Sequence, residues 1–275
     1  MKLSRALGYN ATAIRSDSQL TDDQIRRVAP SVFAEQPHES RSARYSYIPT
    51  VEVLDGLRSE GFLPFFAAQG RSRVEGKAEY TKHVIRLRHA GDITNQGEAN
   101  EIILLNSHDG TSSYQMIAGQ LRLACLNGLI VGDCYEDLRI KHKGSVVDNV
   151  IEGAYTVLSQ FEAVKDSIDT MKSIELAPGM QNAFAKAALQ LKYEDPSEAP
   201  IEPEQLNRAR RFDDQGSDLW RTFNRVQEGM IRGGISGRRA DGRRTTTRAV
   251  NAIDTDTKLN RALWTLAEEM ARLAA

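Results

Sequence analysis

The stretch that decides the fold is TKHVIRLRH, residues 81–89, in which apolar and cationic side chains alternate. Successive side chains of an extended strand point to opposite faces of a sheet. One face therefore carries an imidazole and two apolar groups, those of His83, Ile85 and Leu87. The opposite face carries three cations, those of Lys82, Arg86 and Arg88. The pattern predicts a strand with one apolar face and one basic face.

Similar segments lie on both sides of this strand along the chain. Glycines separate four further candidate strands: 62–73, 101–106, 114–125 and 138–143. Because no long helix fits between them, we expect an antiparallel sheet. These strands add five more cations, Arg71, Arg73, Arg122, Arg139 and Lys141.

Helical patterns flank the predicted strands. Thr50 is predicted to cap a short helix that ends before Gly61. From Val146 to Met171 a three-to-four spacing of apolar residues predicts one long helix across a face of the sheet. Further helices are expected from Pro178, over 217–230 and at the C-terminus. The fold class is therefore α+β, an antiparallel sheet covered on one face by a long helix, with additional C-terminal helices.

The sequence predicts three regions. Residues 1–43 are expected to form a loosely ordered N-terminal arm with one short helix, in which Thr21 and Gln24 form a capping box. Residues 44–195 form the α+β core, and residues 196–275 form a helical C-terminal region with an Arg/Gly-rich loop at 232–248.

Composition excludes several classes of protein. The 275 residues carry a net charge of −1, so there is no global basic signature. The two cysteines form no Cys-x-x-Cys pair, and we predict neither a metal nor a cofactor. Neither a secretory signal nor a membrane-spanning run is evident, which predicts a cytoplasmic protein.

The cationic strand positions suggest a groove that attracts a phosphate backbone. A solvated face of an antiparallel sheet would carry similar residues, so both interpretations stay open. The predicted phosphate contacts on the strands are Arg71, Arg73, Lys82, Arg86, Arg88, Arg122, Arg139 and Lys141.

A second basic feature is the loop between Arg232 and Arg248, which contains six arginines and one aspartate. Arginine is favoured where a planar donor must grip phosphate or carboxylate. We expect this loop to be a flexible second clamp, formed by Arg238, Arg239, Arg243 and Arg244. A flexible connector kept soluble by its charges is the alternative.

The segment NSHDGTSSY, residues 106–114, is a polar, turn-rich motif between two apolar runs. Its candidate ligand contacts are Asn106, His108 and Asp109. Adjacent side chains of an extended segment point apart, so His108 and Asp109 do not by themselves form a catalytic pair. Asparagine, aspartate and glycine also favour turns, and a structural turn is the leading interpretation. No catalytic residue is predicted.

The motifs carry a family resemblance. Residues 47–50 (YIPT), 106–112 (NSHDGTS) and 122–129 (RLACLNGL) resemble the phage- and plasmid-like family called domain of unknown function 932. More remotely, the order of short helix, antiparallel strands and long helix resembles the single-strand annealing proteins of the "Rad fifty-two" superfamily. That resemblance implies assembly into rings or filaments with single-stranded DNA in a basic groove. Tyr80 and Tyr114 are the aromatic residues near the basic strands, and an aromatic stacking platform is not evident.

Three hypotheses follow. The first is a single-stranded DNA-binding and annealing protein of a mobile element that assists recombination as a homo-oligomer, without enzymatic activity. The second is a protein-interaction module with an anti-defence or regulatory role, since residues 145–200 carry nine acidic residues against four lysines. The third is an enzyme centred on His108 and Asp109.

Overall fold

The computed structural model describes residues 11–39, 47–72, 76–91, 98–122, 127–131, 138–140, 146–193, 195 and 198–274. The chain divides into two compact units, of which the first ends at Phe161 and the second begins at Glu162. The division therefore lies well before residue 195, where the sequence predicted the end of the core. The predicted α+β class is confirmed, with an antiparallel sheet in the first unit and C-terminal helices in the second.

Within the described residues, the sheet of the first unit contains seven strands that pair antiparallel. They are β1 (Ala11–Arg15), β2 (Phe62–Gly70), β3 (His83–His89), β4 (Glu98–Asn106), β5 (Tyr114–Arg122), β6 (Asn127–Ile130) and β7 (Leu138–Ile140). Strands β1 to β6 are neighbours in chain order, and β7 pairs with the beginning of β5 where β6 pairs with its end. From β2 onward the connections are short, as antiparallel pairing allows, whereas 46 residues separate β1 from β2.

The N-terminal segment is part of this sheet. Strand β1 pairs with β2 from Ala11 opposite Gly70 to Arg15 opposite Phe66. Helix α1 (Asp22–Val28) follows, and its predicted capping box is confirmed by reciprocal hydrogen bonds between Thr21 and Gln24. Residues 11–39 are thus integrated in the first unit, and the prediction of a loosely ordered arm is wrong for them.

Two helices of the first unit pack against the sheet and against each other: α2 (Thr50–Ser59) and α3 (Val146–Ser159). The long helix predicted to reach Met171 instead ends at Ser159. There the amide of Gln160 donates to the carbonyl of Val157, and the Ser159 hydroxyl donates to the carbonyl of Thr156. Serine hydroxyls compete in this way with helical backbone bonds, which explains the break.

The second unit is mainly helical. Its helices are α4 (Phe161–Ser173), which begins at the boundary, α5 (Pro178–Gln190), α6 (Pro203–Leu206), α7 (Leu219–Arg232) and α8 (Ile253–Ala274). Trp220, Phe223 and Trp264 form an aromatic core where α7 meets α8, with the Trp220 and Phe223 rings stacked 5.5 Å apart. Among the described helices, none has the length and apolar content required to span a bilayer.

One face of the sheet holds a buried cluster of charges. Arg15, Arg86 and Arg88 surround the carboxylate of Glu101 at 3.4, 3.3 and 3.1 Å. Burial alone would raise the pKa of Glu101, but the three guanidinium groups outweigh burial and hold this pKa below its ordinary value. Glu101 is therefore an ionised carboxylate inside the fold.

The cluster shows that the sheet is curled. Arg15 lies on β1 and Glu101 on β4, with two strands between them, yet their side chains meet. The Arg15 and Arg86 guanidinium groups also lie 4.8 and 5.7 Å from the centre of the Phe66 ring. Aromatic faces stabilise desolvated cations. The Glu101 face is thus the concave face of the sheet.

This arrangement corrects a prediction from the sequence. All six residues from His83 to Arg88 are buried, so β3 is covered on both faces. Arg86 and Arg88 are only 3% exposed and bind Glu101, and the expectation that they face solvent in a basic groove is wrong. The alternation of apolar and cationic residues correctly placed Arg86 and Arg88 on the same face of β3. It did not predict that a carboxylate from β4 lies on the same face.

Gly128 on β6 makes room for Arg86. A Cβ atom added at Gly128 would lie 2.2 Å from Nη1 of Arg86. Asn127–Ile130 is a strand that pairs with β5. A glycine within a strand often marks such a close approach.

We expect Glu101→Gln to destabilise the first unit by about 3–5 kcal/mol, because it leaves three buried guanidinium groups without their carboxylate. Urea unfolding followed by circular dichroism measures this change. Asp55→Asn is the matched control: Asp55 pairs with Arg58 but its side chain is 62% exposed. The control should cost less than about 1 kcal/mol. Equal effects of both variants would contradict a structural role for Glu101.

We expect Gly128→Ala to cost about 1–3 kcal/mol, since the added methyl group must displace the Arg86 guanidinium from Glu101. Gly179→Ala on α5 provides the control because, among the described residues, nothing lies within 4 Å of the added carbon. That control should change the free energy of unfolding by less than about 1 kcal/mol. Slower exchange of β3 amides in Gly128→Ala than in wild type would argue against this role.

Candidate nucleic-acid interface

The polar motif at 106–114 meets helix α2 at a buried hydroxyl. Thr50 Oγ1 accepts a hydrogen bond from Asn106 Nδ2 at 3.1 Å. The same oxygen lies 3.0 Å from His83 Nε2, 3.1 Å from His108 Nε2 and 3.2 Å from the Tyr114 hydroxyl. All five residues are fully buried. Thr50 therefore joins α2 to β3, β4 and β5. The prediction that Thr50 caps this helix is wrong, because the N-cap residue is Pro49 and no side-chain cap is present.

Thr50 and the four side chains around its hydroxyl are called the Thr50 hub below, and the single hydroxyl proton limits which hydrogen bonds can form there. A threonine hydroxyl has one proton, so it can donate to one imidazole only and must accept from the other. Burial, with a smaller contribution from the neighbouring His108, lowers the pKa of His83 well below its ordinary value. Ser31 Oγ lies 2.8 Å from His83 Nδ1 and engages the second ring nitrogen. His83 is thus a neutral residue of a polar network in the core.

Asp109 belongs to a separate set of contacts. Its carboxylate accepts hydrogen bonds from the amide of Thr111 at 3.0 Å and from the Thr111 hydroxyl at 2.6 Å. Burial would raise the pKa of Asp109, but these hydrogen bonds lower it. Gly110 follows with φ of 78°, a value that favours glycine. This is the polar turn that the sequence predicted.

The motif is therefore structural in the described chain. His108 bonds to Thr50 inside the core and Asp109 bonds to its own turn, so the two side chains serve different partners. Asn106 and His108 are fully buried. Among the described residues, no group of three or more histidine, cysteine, aspartate or glutamate side chains could hold a metal ion.

The predicted strand cations do not form one strip. Arg71 is exposed at the end of β2, and Lys82 lies beside it because the amide of Gly70 donates to the Lys82 carbonyl. Arg139 lies opposite Gln115 near this end of the sheet. Arg122 lies at the other end of β5, about 23 Å away for seven extended residues. Arg73 and Lys141 fall outside the described residues.

The Arg/Gly-rich segment contains an ordered hairpin. Strands β8 (Ser236–Arg238) and β9 (Arg244–Thr246) pair antiparallel, with Arg238 opposite Arg244. At the tip, the amide of Gly242 donates to the Arg239 carbonyl at 2.8 Å, and Gly242 has φ of 79°. The sequence predicted a flexible loop, which is wrong for these residues.

The hairpin presents its charges to solvent. All four predicted clamp residues, Arg238, Arg239, Arg243 and Arg244, are exposed. The one carboxylate of the tip is that of Asp241, which accepts from the amide of Arg243 and lies 3.7 Å from its guanidinium group. The tip therefore carries a net charge of +3, from four arginines and one aspartate.

The hairpin is fixed to the rest of the second unit. The amide of Arg238 donates to the Pro200 carbonyl at 2.8 Å, and Gln205 Nε2 donates to the Ser236 carbonyl at 2.9 Å. A Cβ atom added at Gly237 would lie 1.8 Å from the Pro200 oxygen, so only glycine allows this approach. The four guanidinium groups thus extend from a positioned backbone.

The sequence did not identify two residues that organise these sites, Thr50 and Glu101. Thr50 matched a helix cap, and nothing in its local sequence indicates its contacts with the distant His83 and His108. Glu101 stands at the start of an apolar strand segment, where an acidic side chain needs a cationic partner.

The neutral state of His83 predicts a pH dependence. In the unfolded chain, His83 takes up a proton near pH 6.5, the ordinary pKa of histidine. In the folded chain it does so only at lower pH. The contribution of neutral His83 to the free energy of unfolding is therefore fully present above about pH 6.5. Below that pH it falls by about 1.4 kcal/mol per pH unit, because one proton is taken up on unfolding.

We expect His83→Gln to remove this part of the slope when urea unfolding is compared between about pH 7 and about pH 5.5. Glu101 does not interfere, because its ordinary pKa of 4.5 lies below this range and its folded pKa is lower still. An identical slope in the variant and the wild type would contradict a neutral, buried His83.

Comparison with known proteins identifies the family. Two Escherichia coli K12 proteins, UPF0380 protein YfjQ and UPF0380 protein YafZ, are 53% and 52% identical to the chain over 260 residues, 94% of this chain and 94% of each protein. No solved structure matches the chain. The model of the domain of unknown function DUF932 matches residues 37–264, which include the Thr50 hub, the polar turn and the arginine hairpin. The chain belongs to the DUF932 family.

Proposed function

We propose that the protein binds single-stranded DNA through the hairpin formed by β8 and β9. The observation that carries this proposal is the set of four exposed guanidinium groups on a backbone fixed to the Pro200 carbonyl and to Gln205. Guanidinium groups bind phosphate oxygens in pairs, and a positioned backbone loses less conformational freedom on binding.

The wider role we propose is to assist annealing or recombination as an oligomer in a mobile genetic element. The order of α2, strands β2 to β7 and α3 supports it by analogy with the annealing proteins. Arg71, Lys82 and Arg122 stay proposed secondary phosphate contacts. Arg86 and Arg88 are left out because Glu101 binds them in the core.

The test is the affinity of the whole chain for a fluorescently labelled single-stranded oligonucleotide, measured by anisotropy over a range of salt concentrations. We expect the double variant Arg239→Glu/Arg244→Glu to bind about tenfold more weakly or worse. The slope of log affinity against log salt should become shallower by about 1.4, because two phosphate groups of the single strand are no longer neutralised.

The matched control is Arg27→Glu/Lys165→Glu, which changes the net charge equally at exposed positions on α1 and α4. It should keep most of the affinity and the wild-type slope. The proposal fails if the wild type does not bind at low salt, or if both double variants weaken binding equally, since that indicates a response to net charge alone.

A further inference from the structure

Phe212 is an aromatic side chain that the fold holds in solvent. It is 82% exposed, the highest value among the large apolar residues of the described chain. Leu273 is nearly as exposed, but it stands in the last turn of α8, where helix ends commonly fray. Phe212 lies away from the chain ends, between the helices α6 and α7. Its exposure therefore needs a different explanation.

The backbone around Phe212 is fixed. On one side, Arg211 Nη2 donates to Glu228 Oε1 at 2.8 Å, and Arg211 Nη1 pairs with the other carboxylate oxygen. On the other side, Arg225 Nη1 donates to the Asp214 carbonyl at 2.7 Å. Both partners, Glu228 and Arg225, lie on α7. The Phe212 ring is thus displayed by a short 3-10 turn with anchors before and after it.

Arginines precede this turn in sequence, whereas Asp213 and Asp214 follow Phe212. Arg210 Nη2 donates to the carbonyl of Gly233 at 2.6 Å, at the base of the segment that leads into β8. Arg208 and Arg210 are exposed, like the arginines of the hairpin tip. An exposed apolar ring preceded by exposed guanidinium groups matches the two parts of a nucleotide, which are an apolar base face and an anionic phosphate.

We propose that Phe212 stacks on an unpaired base of the DNA strand whose phosphates bind the arginines, an inference that rests on the proposed function. Aromatic side chains contribute to single-strand binding because every base offers a flat face. Bases of a duplex are already stacked on each other, so the same ring has no partner there. Phe212 thereby selects unpaired over paired DNA.

The test compares two labelled single strands of equal length, one with all its bases and one with abasic sugars throughout. Both have the same phosphate charge. We expect Phe212→Ala to weaken binding of the base-containing strand about fivefold or more and to leave binding of the abasic strand unchanged. Phe212→Trp should keep the affinity. Leu273→Ala, which truncates the other highly exposed side chain, should bind as the wild type does.

The outcomes separate the two proposals. The proposed function stands if the wild type binds and the hairpin variant Arg239→Glu/Arg244→Glu binds more weakly. In that case stacking is still overturned if Phe212→Ala binds both strands like the wild type, or loses affinity equally for both. If the wild type binds neither strand, both are overturned. Loss confined to the base-containing strand supports stacking. Because Phe212 is exposed, its truncation removes little buried surface, and circular dichroism should show an unchanged fold.

Discussion

The carboxylate of Glu101 is the constraint on which the first unit depends. It holds guanidinium groups from β1 and β3 and lies on β4, so four strands must curl toward it. Three cations and one anion are costly to bury unless their geometry and hydrogen bonds are good. Aromatic faces of Phe65 and Phe66 assist by contacting the same cations.

The opposite face of the sheet has a second polar centre. Thr50 connects α2 with three strands, through hydrogen-bond contacts with His83, Asn106 and Tyr114. Buried polar networks of this kind specify one arrangement of helix and sheet, because any shift leaves donors and acceptors unsatisfied. Thr50, Asn106 and His108 therefore take part in holding α2 against the sheet.

Local patterns predicted local structure well. The alternation in 81–89, the capping box at Thr21 and Gln24 and the proline at the start of α5 all lie where the sequence indicated. Long-range pairing was beyond the sequence: nothing in β3 reveals that Glu101 lies opposite its arginines. The hairpin was missed for the same reason, since its order depends on the distant Pro200 and Gln205.

The aromatic core of the second unit has a practical consequence. Both tryptophans of the chain, Trp220 and Trp264, lie in it, in edge contact with each other. Intrinsic tryptophan emission therefore reports on the unit that carries the hairpin, while the sheet unit contributes tyrosine and phenylalanine signals alone. Tryptophan fluorescence can therefore distinguish conformational changes in the second unit from those in the first without chemical modification.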